Sequence, residues 1–205
     1  MCLITEESHA SHLVYSYNVR YNIPMTENAL SADNQQGRLD RDLGNYIAGF
    51  VDGEGSFHIA FQRNPSVKLG LQVVPEFQVS QNIQSKSVLE LLRDTLGCGY
   101  IKPNHANNPS DQTVVFVVRS RNDLVHKVIP FFETYHLRTQ KRADFVKFAK
   151  VVTLMSYDQH KTESGLKRIV SIAFSMNQNG KFRKNLFPKP SETIRQSLEK
   201  FQDKI

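Results

Sequence analysis

Two carboxylates close a short glycine-rich stretch, Leu43-Gly44-Asn45-Tyr46-Ile47-Ala48-Gly49-Phe50-Val51-Asp52-Gly53-Glu54-Gly55-Ser56-Phe57. Asp52 and Glu54 fall where a helix would end, and a helix C-terminus is the wrong end for negative charge. A cation compensates for such a placement. Mg²⁺ suits it, because this hard ion is held by one or two carboxylates together with phosphate oxygens and water. The flanking glycines thin the backbone around the acids and leave room for something bulky. A pair of solvated surface acids is the plain alternative.

The elements around the acids follow from periodicity. A helix should start near Asp40 or Asp42, either of which can cap it, and end at Gly53 or Gly55. On it Gly49 and Gly53 stand four apart, beside Asn45 and Ala48. Glycine costs about 1 kcal/mol in a helix interior, so the spacing asks for the close approach of another backbone, either the chain's own core or a partner. Ser56–Arg63 alternates as a half-buried strand, with Phe57, Ile59 and Phe61 on one side. Leu71–Gln81 alternates again, and Pro75 predicts an edge or a bulge. Gln84–Leu96 reads as a helix turning Val88, Leu91, Leu92 and Leu96 inward. Gly99–Pro103 and Gln112–Arg119 are strands. Asp123–Tyr135 is helical with a kink or early end at Pro130, and Thr139–Met155 is the strongest helix. Leu166–Phe174 and Thr193–Phe201 should be helices as well.

The order predicts an α+β fold, an antiparallel sheet with helices on one face. The other face is polar, with His58, Gln62, Gln72, Glu76, Gln78 and Lys102. A solvated face would have this composition, and so would one that reads base edges in a major groove. The organisation expected is a flexible leader over residues 1–39, a core over 40–160 and a helical extension over 161–205.

The 205 residues are 40% hydrophobic and 22% charged, an ordinary globular composition. The formal charge is +6, with a net −2 on residues 1–39 and +8 on the remainder. A basic body suits a polyanionic partner, nucleic acid first and an anionic membrane surface second. No apolar run is long enough to span a membrane, and the first residues do not resemble a secretory signal. Cys2 and Cys98, the only cysteines, exclude a disulfide framework and suit a reducing compartment.

The stretch Ile47–Phe57 resembles the signature of the LAGLIDADG homing endonucleases, with Glu54 on its final acidic position. The element order from Asp42 to Met155 is similar to that family's αββαββα core, whose sheet forms a saddle for DNA. The segment Leu137–Phe145 resembles its basic segment ahead of the last core helix. The resemblance covers about two-thirds of the chain. It implies a site-specific, intron-encoded DNA endonuclease that makes a Mg²⁺-dependent double-strand cut in a long pseudo-palindromic target. It implies Glu54 as metal ligand and Gln81 as a residue ordering active-site water. Lys141 would stabilise the transition state, with Gln140 and Arg142 as alternative registers. His58, Gln62, Asn64, Gln72, Glu76, Gln78 and Lys102 would contact DNA, and Lys68 and Lys181 phosphates. The signature occurs once, which implies a homodimer joined through Asn45, Ala48, Gly49, Asp52 and Gly53. Asp52 is assigned to capping the helix exit or supporting that interface rather than to the metal. An RNA-binding splicing factor (a maturase acting on intron RNA) and a DNA-binding regulator on a decayed scaffold are the alternatives. An organelle or a prokaryotic cytoplasm is the expected setting.

Overall fold

The computed structural model describes residues 27–108 and 110–177. The chain divides into two compact units, Met1–Arg38 and Leu39–Ile205. Of the first, residues 27–38 are described and are helical. The site belongs to the second.

Helix α1 runs over Glu27–Glu54. It does not start at Asp40 or Asp42 as expected, so part of the stretch read as a leader is helical. Between Glu27 and Leu39 no proline interrupts the chain, and Ala, Leu, Gln and Arg favour helix. A potential cap is therefore no boundary where the preceding residues can continue the helix. The C-terminal end lies where the glycines predict it. Strand β1 (Gly55–Arg63) begins on the next residue.

β1 pairs antiparallel with β2 (Leu71–Asn82), β2 with β4 (Thr113–Val118), and β4 with β3 (Tyr100–Pro103), giving the order β1-β2-β4-β3. Pro75 sits opposite Ile59 of β1, while the pairing of β2 with β4 begins only at Phe77. The missing N–H thus falls where β2 has a neighbour on one side alone. The strand is interior at one end and an edge at the other.

Helix α2 (Lys86–Leu96) stops at Gly97, whose positive φ needs glycine. It turns Leu89, Leu92 and Leu96 inward, whereas Leu91 is exposed and Val88 only half-buried. The expected face was rotated because the helix begins after a 3₁₀ turn at Ile83–Ser85, which resets the angular phase. After β4 the chain forms α3 (Arg121–Asp123), a π-helical turn (Leu124–Val128) and α4 (Ile129–Thr134). Pro130 lies in the first turn of α4, directly after the wide turn, where its missing N–H is least costly. Helices α5 (Lys141–Ser156) and α6 (Glu163–Phe174) complete the described chain. The predicted helix Thr193–Phe201, Lys181 and the first 26 residues lie outside the described residues.

The core fills the space between the apolar sheet face and the helices. Phe57 is its centre, stacked on Phe77 at 4.8 Å and meeting Phe145, Phe148 and Phe132 at 5.3, 5.4 and 5.6 Å between ring centroids. Gly44 of α1 faces the ring of Tyr135, where an added Cβ would lie 2.3 Å from two ring carbons. Asn177 ties the end of the described chain to this core, its amide donating to Asp144 and its carboxamide to the Phe57 carbonyl at 3.2 Å. Among the described residues no helix is long and apolar enough to cross a membrane.

Candidate active site

Glu54 is the last residue of α1, and β1 starts beside it. Its side chain is exposed, and among the described residues it makes no hydrogen bond. Lys141, at the first position of α5, reaches the same helix end. Its Nζ donates to the carbonyls of Val51 at 3.0 Å and Gly53 at 3.1 Å. These carbonyls belong to the last turn of α1, which lacks intrahelical partners and carries the negative end of the dipole. Burial pushes the lysine down, and the charges of Asp52 and Glu54 push it back up; the net value lies below the ordinary lysine range. Of the three candidate registers, Lys141 is the one hydrogen-bonded to the end of α1.

Asp52 turns the other way. Its carboxylate accepts the amides of Arg138 and Thr139 and, at 2.8 Å, the Thr139 hydroxyl. Burial raises this carboxyl, but those hydrogen bonds and the Lys141 charge outweigh it and hold it below the usual range. Asp52 therefore caps the turn that leads into α5, not the exit of its own helix. The two acids that looked alike in sequence have different surroundings, one saturated by its own chain and one open.

Among the described residues no three His, Cys, Asp or Glu side chains gather around one point. The chain offers a single open carboxylate at this joint. That donor set fits a hard divalent ion, which takes one carboxylate oxygen and completes its shell with water and phosphate oxygens. Gln81 stands two residues past Val79, the partner of Gly55. It pairs with Val114 of β4, and its Oε1 accepts the Asn82 amide at 2.8 Å.

The residues expected to touch DNA share the face of the sheet turned away from the core. They stand in cross-strand rows, Ser56 opposite Gln78, His58 opposite Glu76 and Gln62 opposite Gln72. Lys102 belongs to the β3 side of that face, opposite Val115. Gln62, Gln72, Lys68 and Lys102 are exposed and Gln78 half-buried. Asn64 donates to Gln72 Oε1 at 2.8 Å. Glu76 is a correction. It is 5% exposed, with Arg119 Nε on one oxygen and His58 Nε2 3.3 Å from the other. A carboxylate so held is a pairing group rather than an open reader of bases. Arg119 is the residue that sequence reasoning passes over. Its signal was the alternation itself, which puts it in phase with Val115 and Val117 on the polar face.

The helix face read as a dimer contact is open surface in part. Asn45, Gly49 and Gly53 are exposed, and among the described residues a methyl group added to either glycine would meet no atom within 4 Å. Tyr46 beside them is 54% exposed. Packing against the described core therefore does not explain these glycines. Ala48 is a correction: it is 4% exposed and covered by its own chain. Asp52, half-buried, is committed to the α5 turn.

The fold and the joint define an α+β module in which a helix delivers an open acid to the margin of a polar antiparallel sheet. The LAGLIDADG endonuclease family model matches residues 47–152, and the chain belongs to that family. It is 36% identical to the homing endonuclease I-TnaI, with a TM-score of 0.63 over 77% of this chain and 96% of that one. It is 37% identical to I-LtrWI, a LAGLIDADG homing endonuclease solved bound to target DNA, with a TM-score of 0.62 over 77% of this chain and 49% of that one. The "Probable intron-encoded endonuclease 2" of Neurospora crassa is 37% identical over 145 residues, 70% of this chain and 31% of its own length. The chain thus spans about a third of that curated relative.

Proposed function

We propose that the protein is an intron-encoded homing endonuclease that makes a double-strand cut in a long pseudo-palindromic DNA site, acting as a homodimer with Mg²⁺. The observation that carries the reading is the α1–β1 joint, where an open Glu54 carboxylate and the Lys141 ammonium meet at the margin of the polar sheet face.

Glu54 would hold the metal. When bound, the ion supplies a lowered pKa for the attacking water and charge neutralisation at the leaving 3′ oxygen. Lys141 places a fixed positive charge where negative charge accumulates on the phosphoryl group, and being tied to two carbonyls it needs little reorganisation. Gln81 would orient water at the joint. Asp52 keeps the lysine-bearing helix on α1. Gln62, Gln72, Gln78 and Lys102 would meet base edges and phosphates along the groove.

Two-fold association is supported by the open helix face of Asn45, Tyr46, Gly49 and Gly53, since an isologous contact uses one patch twice. Two copies of Glu54 would then converge on one axis, and the cuts in the two strands would lie close together. Incubation of the purified protein with a duplex library carrying a randomised central segment, with and without Mg²⁺, tests the reading. Metal-dependent cleavage of both strands at one enriched site is expected. Absence of cutting, or equal cutting by the Glu54→Gln variant, would overturn it.

A further inference from the structure

One row of the sheet differs from the rest. His58 of β1 pairs with Glu76 of β2. Arg119 follows β4, one residue past the Phe77–Val118 pair, and its Nε donates to Glu76. The three side chains form a line across the polar face, with Glu76 between the other two. Glu76 is the only charged residue among the buried side chains described. A buried carboxylate is costly unless paired and hydrogen-bonded. Arg119 Nε and His58 Nε2 supply that pairing.

The consequence concerns the arginine. Its Nε–H is committed to Glu76, yet its side chain is 49% exposed. Among the described residues neither Nη group has a hydrogen-bond partner. The guanidinium is planar, so fixing Nε fixes the direction of the remaining fork. A fork presented on a sheet face, with its rotation removed beforehand, matches the O6 and N7 acceptors of guanine in the major groove.

We propose that Arg119 is a specificity-determining residue that reads a guanine through its two Nη groups, with Glu76 as its positioning residue. His58, at the β1 end of the row, stands four residues along the strand from Glu54, and Arg119 lies just past β4, two strands further across the sheet. The guanine should therefore stand outward from the cut, once in each half of the site.

The inference rests on the DNA-cleaving reading. The test selects cleaved sequences from a randomised duplex library in Mg²⁺ and compares base preferences at every position. Wild type should prefer guanine at one symmetric pair of positions. Arg119→Lys should lose that preference by about 5- to 150-fold, the range for one bidentate contact, and leave other positions unchanged. Glu76→Gln, which keeps an acceptor for Nε, should weaken the preference at the same positions. If the single charge change prevents folding, the paired Glu76→Met and Arg119→Met variant removes both charges together; it should fold and lose the preference. An unchanged profile in Arg119→Lys would make the row a structural ion pair and overturn the proposal. A uniform loss at all positions with a shallower salt dependence would make Arg119 a phosphate contact and also overturn it. If wild type enriches no sequence at all, the DNA reading falls and takes this proposal with it.

Discussion

Asp52 and Lys141 close one joint from opposite sides. Asp52, on α1, caps the turn that begins α5, with Thr139 Oγ1 at 2.8 Å. Lys141, on α5, caps the end of α1 through the Val51 and Gly53 carbonyls at 3.0 and 3.1 Å. Each helix thus terminates the other. Glu54 lies one residue beyond the capped carbonyl of Gly53, so the open acid is held by a joint that it does not itself help to build.

Replacing Glu54 by Gln should abolish cleavage and leave the fold alone. The side chain is exposed and unbonded, so the change in stability should stay within about 0.5 kcal/mol. Parallel measurement of cutting, DNA binding and thermal unfolding separates the outcomes. A large drop in melting temperature would place Glu54 in the structure rather than the chemistry.

Lys141→Met should act on both. Loss of a preorganised charge should lower the cleavage rate by about 10²- to 10³-fold. Loss of two hydrogen bonds to open carbonyls should cost about 1–2 kcal/mol in urea unfolding. Arg142→Met, one residue on, should change the rate far less. Equal effects of the two would return the register to doubt.

The Asp52 carboxyl lies below its ordinary value in the folded protein. Its stabilisation is therefore complete above the unfolded value of about 3.9 and is lost as pH falls through the lower folded value. Asp52→Asn should cost about 1–2 kcal/mol at neutral pH, and the gap to wild type should close in acid. Its negative charge also raises Lys141. In the variant the alkaline limb of the cleavage profile should move to lower pH. A gap that does not depend on pH, or a limb that does not move, would contradict the capping role.

Gly49→Ala and Gly44→Ala should have opposite effects. The first adds a methyl into open space and removes a flexible residue from a helix interior, so the protomer should gain about 0.5–1 kcal/mol. If that face is the homodimer contact, sedimentation should show a shift toward monomer at the same time. The second drives a methyl into the Tyr135 ring and should cost about 1–3 kcal/mol. Undisturbed association in Gly49→Ala would remove the helix face from the interface.

Phe57→Ala should be the most damaging of the core changes. The ring lies within 5.6 Å of Phe77, Phe132, Phe145 and Phe148, and truncation of such a residue costs about 3–5 kcal/mol. Denaturant unfolding of the purified variant measures it.

The two faces of β1 and β2 were legible in sequence because alternation has a period of two, and strands of 9 and 12 residues repeat it enough times to be read; the short β3 and the apolar β4 were legible as strands but not by face. The helices were legible as elements but not in phase. In α2 a single 3₁₀ turn moved Leu89 inward and Leu91 outward, because a three-residue turn shifts every later side chain around the axis. The start of α1 was misplaced because Asp40 and Asp42 can cap a helix but can also ride within one. The open acid could be found from its glycines and its place at a helix end. The roles of Asp52 and Glu76 could not. Each is decided by residues distant in the chain, Thr139 for one and Arg119 for the other, and no local pattern announces such partners.

If the polar face reads DNA as proposed, its construction has a consequence for how this chain could acquire a new address. Gln62, Gln72 and Lys102 are exposed, so exchanging one of them need disturb no packing beneath the sheet. Letters of such an address would be rewritten singly, without moving Glu54 and Lys141 at the α1–β1 joint. The row of His58, Glu76 and Arg119 is different. Its middle member is buried and charged, so a change at either end strands the centre. That letter can be rewritten only by coordinated substitutions, and descendants of this sequence should drift there last.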